Sequence, residues 1–209
     1  MESETISIIL PTSNRQEQIV NRIESLIENV SDLCTQIQIV IVDDGSTDAT
    51  PEILEDLRRT YPQIETIRTE KKYGPKHAVG IGLDKAVGAF VFIHESYDSI
   101  DTNAMRQLWS LRNDKNLVVA RAGTRTRRID NMLLDQLAKW GKRIEDSIQE
   151  KWAAFESIPA PAPHLVTSGL QMVRRDSLAK LARVDAKEPA FEVSHLSQRS
   201  LVRVPTRLN

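Results

Sequence analysis

Short β-branched runs recur along the first half of the chain with amphipathic stretches between them, and this alternation restricts the fold more than any other feature. Thr5–Leu10, Ile37–Val42, Ile64–Arg68, Ala89–Ile93 and Leu117–Ala120 read as strands. Between them, helices are expected over Arg15–Val30, from Pro51 to about Arg59 behind an N-cap at Thr50, over Lys76–Val87, and over Thr102–Leu111 behind an N-cap at Thr102. Near-continuous apolar strands belong to sheets covered on both faces. Strands alternating with helices build right-handed βαβ units and a parallel sheet. The expected class is therefore α/β: a mainly parallel twisted sheet flanked by helices. Ligands bind such sheets beyond the carboxyl ends of the strands, where strand order reverses. The polar clusters of this chain follow the first, second and fourth strands.

The second half reads differently. Arg121–Arg128 carries four arginines and no acid, either a basic anion-binding loop or a solvated one. Leu133, Leu137, Trp140, Ile144 and Ile148 mark a long helix that packs on the sheet or against a second copy, making a homodimer. Ile158–Pro163 is a stiff extended segment, His164–Val173 ends in an apolar alternation, and Arg174–Leu181 reads as a short helix. No linker separates two cores, so 209 residues are expected to form one domain, 1–209.

Composition removes several function classes. Lys plus Arg is 28 against 29 Asp plus Glu, so no global positive field exists to coat nucleic acid, and no aromatics interleave with the arginines of 121–128. The single cysteine, Cys34, cannot form an internal disulfide and suits a reducing, cytoplasmic setting. There is no run of 18 apolar residues for a transmembrane segment, and Met1-Glu2-Ser3-Glu4 is unlike a secretory leader.

The strongest motif is Ile37–Thr50 (IQIVIVDDGSTDAT). An apolar strand delivers Asp43 and Asp44 to its carboxyl end just before a Gly turn. Two readings stand. The carboxylates cap the turn and the next helix, or they accept N–H groups of a nucleobase. An acidic pair after a strand also suggests a receiver domain. That fold needs acids after the first strand and an Asp after the third, where this chain has Pro11–Asn14 and Glu70-Lys71-Lys72. Lys76 follows Gly74-Pro75 at a helix start, suited to a diphosphate or simply solvated.

Read together, Ser7–Asn14 (SIILPTSN), Ile37–Thr50, Tyr73–Gly88 (YGPKHAVGIGLDKAVG) and Thr167–Leu178 (TSGLQMVRRDSL) resemble the family-2 glycosyltransferases of the GT-A fold, in particular polyprenyl-phosphate mannose and glucose synthases. The resemblance implies a nucleotide-binding part over 1–121 and an acceptor-side part over 122–209. It implies a UDP- or GDP-linked sugar donor held by Pro11, Thr12, Asn14, Asp43, Asp44 and Lys76. It implies a lipid-phosphate or saccharide acceptor near Ser168, met in the cytoplasm or at a membrane surface; Arg125, in the basic loop, suits a diphosphate or a phosphate-bearing acceptor by its own chemistry. Glu192, in Phe191-Glu192, corresponds to the base of relatives that deprotonate a hydroxyl. After the fourth strand the family places an Asp-x-Asp that holds Mg²⁺ or Mn²⁺. Here His94-Glu95-Ser96 stands instead, leaving His94, Glu95 and Asp98 as candidate ligands. That departure leaves open a second function: a GT-A-like module that binds a nucleotide or protein partner without turnover. It also leaves open transfer without a cation, with Lys76 and the arginines of 121–128 neutralising the diphosphate.

Overall fold

The computed structural model describes residues 4–122, 137, 139–143, 170–177, 192–196 and 199–203. Its core is one sheet with strand order β3-β2-β1-β4-β6-β5-β8-β7. Four parallel strands, β1 (Thr5–Thr12), β2 (Gln36–Asp43), β3 (Ile64–Arg68) and β4 (Phe90–His94), form one half. The other half is antiparallel: β5 (Leu117–Ala122), β6 (Leu170–Arg174), β7 (Glu192–Leu196) and β8 (Arg199–Arg203). Following the pairings, six of the eight strands point the same way, and only β6 and β8 oppose them. The expected α/β architecture is thus found, with its parallel half at the amino-terminal end of the chain.

Side-chain alternation along each strand explains the layers. Ile6, Ile8 and Leu10 of β1, Ile39 and Ile41 of β2, and Phe90 and Phe92 of β4 face one side. There they pack on α1 (Ile19–Ser31), α2 (Thr50–Thr60) and α4 (Thr102–Trp109). Phe90 meets Trp109 edge to face with ring centroids 5.2 Å apart. Ile9, Val91 and Ile93 face the other side, against Val79 and Leu83 of α3 (Pro75–Leu83) and against Leu137 and Trp140. Burial of each such side chain contributes roughly 1.5–3 kcal/mol. Gly82 sets how closely α3 lies on β1, because a Cβ there would stand 2.4 Å from Ile9 Cγ2.

Several boundaries differ from the sequence reading. α1 begins at Ile19 rather than Arg15, since residues 16–18 form a turn closed by the Arg15 carbonyl. α3 stops at Leu83. Thr50 is the first residue of α2 rather than its cap, and its hydroxyl accepts the Arg15 N–H instead. Asp101, not Thr102, caps α4, its carboxylate accepting the N–H groups of Asn103 and Ala104 at 2.9 and 3.1 Å. The hairpin β7–β8 lies where no strand was expected. The long helix expected around Leu133–Ile148 is described only at 137 and 139–143, which are helical. Its Leu137 and Trp140 are buried against the sheet rather than left for a partner.

Candidate functional site

The chain passes from β1 outward to β2 and β3, then returns to β4 on the other side of β1. Strand order therefore reverses between β1 and β4, and the rim above these strands is where an α/β sheet takes a ligand. In register, Thr12 pairs with Asp43 and Asp43 with Arg68, so the loops after β1, β2 and β3 leave the sheet side by side.

Those loops lock together by hydrogen bonds. Asn14 adopts a left-handed conformation at φ 51°. Its Oδ1 accepts the Thr47 N–H at 2.8 Å while its own N–H donates to Ser46 Oγ at 2.9 Å. The Gln16 N–H donates to Asp48 at 3.2 Å, and the Gln16 amide oxygen accepts the Ala49 N–H at 2.9 Å. Gly45, at φ +63°, lies against the backbone of Lys71 and Lys72, where any Cβ would come within 2.5 Å.

The two carboxylates of the motif have separate roles. Asp44 is fully buried. It accepts the N–H groups of Tyr73 and Gly74 at 2.9 and 2.7 Å, and the hydroxyls of Thr69 (3.3 Å) and Tyr97. Burial pushes the Asp44 carboxyl up, but these four donors outweigh it and hold it below the ordinary carboxylate range. Burial and the neighbouring Asp44 charge together drive the Tyr97 phenol well above its usual value. Asp44 caps neither its own turn nor α2; it ties the second loop to the third and to the segment after β4. Asp43 is different. Its Oδ1 accepts from the N–H and hydroxyl of Ser46, whereas its buried Oδ2 has no hydrogen-bond partner and only the Arg68 guanidinium at 3.5 Å. Thr12 Oγ1 and Ser13 Oγ are likewise buried without a partner. Buried polar atoms are nearly always bonded, so three such atoms at the ends of neighbouring strands set this rim apart.

After β4 the candidate ligands are each engaged within the chain. His94 is 4% exposed, with Nδ1 3.0 Å from the Ser96 carbonyl, and burial lowers its pKa. Glu95 is tied to Gln171 of β6 at 2.9 Å and pairs with Arg121 of β5 at 3.9 Å. Asp98 accepts from the Ser96 hydroxyl at 2.5 Å. Among the described residues no three His, Cys, Asp or Glu side chains converge as metal ligands, so His94, Glu95 and Asp98 do not form a cage of three protein ligands.

The remaining expected residues fall in different places. Pro11, Thr12, Asn14, Asp43 and Asp44 come together at the rim, and Lys76 lies in the first turn of α3, two residues after Gly74. Arg125 and Ser168 lie outside the described residues. Glu192 opens β7, level with Arg203 and, through it, with Leu117 at the start of β5. It therefore sits at the amino ends of the strands, four strand positions beyond β4, and the fold does not bring it to the rim. Sequence reading missed Tyr97, Thr69, Gln171 and Arg22. Only Tyr97 carried a local signal, as an aromatic within the segment after β4.

A glycosyl transferase family 2 model matches residues 7–181, from β1 past β6. The chain belongs to this family. As a family-2 glycosyltransferase it has curated relatives that match about half of its length. It is 28% identical over 114 residues to the glycosyltransferase GlyG of Streptococcus pneumoniae, covering 54% of this chain and 37% of that one. It is 30% identical over 110 residues to the GalNAc(5)-diNAcBac-PP-undecaprenol beta-1,3-glucosyltransferase of Campylobacter jejuni, covering 52% and 35%. The chain thus spans little more than a third of either relative. Its fold is shared with the mannosyltransferase PcManGT from Pyrobaculum calidifontis in complex with GDP-Man and Mn2+, at a TM-score of 0.51 and 19% identity over 87% of this chain and 47% of that one. This is the GT-A fold. No helix among the described residues is long and apolar enough to cross a membrane.

Proposed function

We propose that this family-2 chain transfers a sugar from a nucleotide-diphosphate donor to a phosphate or hydroxyl acceptor. The observation that carries the reading is the trio of buried atoms without a hydrogen bond at the rim: Thr12 Oγ1, Ser13 Oγ and Asp43 Oδ2. Uracil and guanine both present ring N–H donors, which a fixed carboxylate oxygen accepts, while the two hydroxyls meet carbonyl or ribose oxygens. Asp43 is thus assigned to the base. Asp44 is assigned to holding the loops around it, because its own lone pairs are filled from within the chain. The acceptor oxygen attacks the anomeric carbon, the C1–O bond to the diphosphate breaks, and the nucleoside diphosphate leaves through an oxocarbenium-like transition state.

A nucleotide-sugar donor matches the GDP-Man that the mannosyltransferase holds. A lipid-linked acceptor matches the undecaprenol compound for which the Campylobacter relative is named. We assign residues 1–121 to the donor and 122–209 to the acceptor, with Arg125 and Ser168 on the acceptor side, in a reducing cytoplasmic setting or at its membrane surface. Glu192 is given no role.

Calorimetric titration of uridine, guanosine, UDP and GDP into the wild type and Asp43→Asn tests the reading. One base series binds, and the variant loses about tenfold in affinity for both members of that series, the worth of one charge-assisted hydrogen bond. Binding unaffected by Asp43→Asn refutes the assignment. A second reading, a module that binds without turnover, is favoured by the absence of a convergent ligand set among the described residues after β4. It predicts binding with no sugar released from any donor.

A further inference from the structure

A cavity of about 310 Å³ opens beside the rim, between α1 and the segment after β4. Leu10 and Leu26 form its apolar wall, while Arg15, Arg22, Tyr97 and Asp98 supply its charge and polarity. Leu10 comes from the end of β1 and residues 97–102 follow β4, so the cavity lies at the reversal of strand order.

We infer that this cavity is the subsite for the donor's diphosphate, and that the guanidiniums of Arg15 and Arg22 stand there in place of a divalent cation. The inference rests on the nucleotide reading above and extends it to the phosphates.

Three features argue for an anion. First, charge is unbalanced: two guanidiniums face one carboxylate, Asp98, which already accepts from Ser96. Arg15 makes no ion pair among the described residues, although its backbone is fixed by Thr50. Arg15 and Arg22 line the same cavity, so their like charges repel across it. An anion relieves that repulsion. Second, Arg22 is pre-oriented. It donates to the carbonyls of Tyr97, at 2.6 Å, and Asp98, which leaves three of a guanidinium's five N–H donors for a ligand. A planar fork of this kind matches phosphate oxygens. Third, size and position suit a part of the donor. The volume is at the lower bound of small-molecule sites, roughly 300 Å³, enough for a diphosphate but not for a whole nucleotide-sugar. Tyr97 joins cavity and rim, since its carbonyl accepts from Arg22 while its hydroxyl donates to Asp44. The residues at the family's metal position form no three-ligand group among the described residues, and the two guanidiniums bring positive charge of the kind a diphosphate leaving group requires.

The test is calorimetry on the full chain in EDTA with UDP, GDP, the matching nucleosides and inorganic pyrophosphate, repeated with Mn²⁺ and with Arg15→Gln. Arg15 has no side-chain bond among the described residues, so folding of that variant is not at stake. The expected result is a diphosphate bound at least about tenfold tighter than its nucleoside without metal, with Arg15→Gln removing that gain and sparing the nucleoside. Equal binding of nucleoside and diphosphate in EDTA overturns the inference, as does a gain that needs Mn²⁺ and survives Arg15→Gln; both leave the nucleotide reading intact. Pyrophosphate bound in an Arg15-dependent way while no nucleoside or nucleotide binds keeps an anion site but overturns its assignment to a nucleotide donor, in favour of a phosphate-bearing acceptor. No binding by any probe overturns both.

Discussion

Replacing Asp44 with asparagine keeps the shape of the side chain and removes its charge, so the variant isolates what the carboxylate contributes to the rim. In the better of its two orientations the asparagine oxygen still accepts from Gly74 and Tyr97, and its amide then turns toward the Tyr73 N–H and the Thr69 hydroxyl. Thr69 has an alternative acceptor, the Lys71 carbonyl at 2.9 Å. The Tyr73 N–H does not, and a donor left facing a donor costs about 1–3 kcal/mol. Exchanging a charged acceptor for a neutral one weakens the two surviving bonds by roughly 1 kcal/mol each. Relief from burying a charge returns part of this, so the net loss is about 2–4 kcal/mol. For a chain of this size, with a urea m-value near 2–3 kcal/mol/M, the midpoint falls by roughly 1 M or more. The loss also depends on pH with a fixed sign. The folded pKa of Asp44 is lowered, so its contribution is complete above the unfolded carboxyl value of about 3.9 and disappears as pH falls through the folded value. The gap between wild type and Asp44→Asn should therefore narrow below about pH 4. Urea unfolding followed by circular dichroism across this range measures it. A midpoint shift under about 0.3 M at pH 7, or a gap constant to the lowest pH at which both fold, refutes the assignment of Asp44 to loop anchoring.

Two further outcomes test the frame that carries the site. Gly82→Ala drives a methyl to within 2.4 Å of Ile9 Cγ2 in a fully buried layer, and overpacking of this kind should cost about 1–3 kcal/mol in urea unfolding; an unchanged or higher midpoint means α3 lies less tightly on β1 than described. Asp101→Ala should cost about 1 kcal/mol by loss of the α4 cap, while Thr102→Ala costs less; the reverse order in thermal melts returns the cap to Thr102.

The parallel half of the fold was legible because its strands are apolar on both faces, so each run shows where a strand ends and which polar residues it delivers. Thr12, Asn14, Asp43 and Asp44 meet for that reason. What sequence could not show was the division of labour between the two carboxylates. The groups that fill Asp44 come from Tyr73 and Tyr97, 29 and 53 residues further on, in loops without a periodic pattern. Helix starts were misplaced where a side chain bonded across to another loop: Thr50 serves Arg15 rather than its own helix. The β7–β8 hairpin escaped notice because its strands, Glu192–Leu196 and Arg199–Arg203, carry few apolar residues. Arg22 lies inside the helix expected over Arg15–Val30, and only the path of the segment after β4 turns it into a cavity wall.

The placement of β6 has a consequence for how the chain reaches this structure. β6 comes from Leu170–Arg174 yet lies between β4 and β5, which precede it by some 50 to 80 residues. Until it inserts, β4 offers an open edge of buried residues, Val91 to Ile93, and β5 has no neighbour on that side. An open apolar edge is a template for association with other chains, and pairing across such separations is slow. A nascent or truncated chain ending before Leu170 would hold every residue of the rim on an unfinished sheet, so the donor half depends on the later half for its completion.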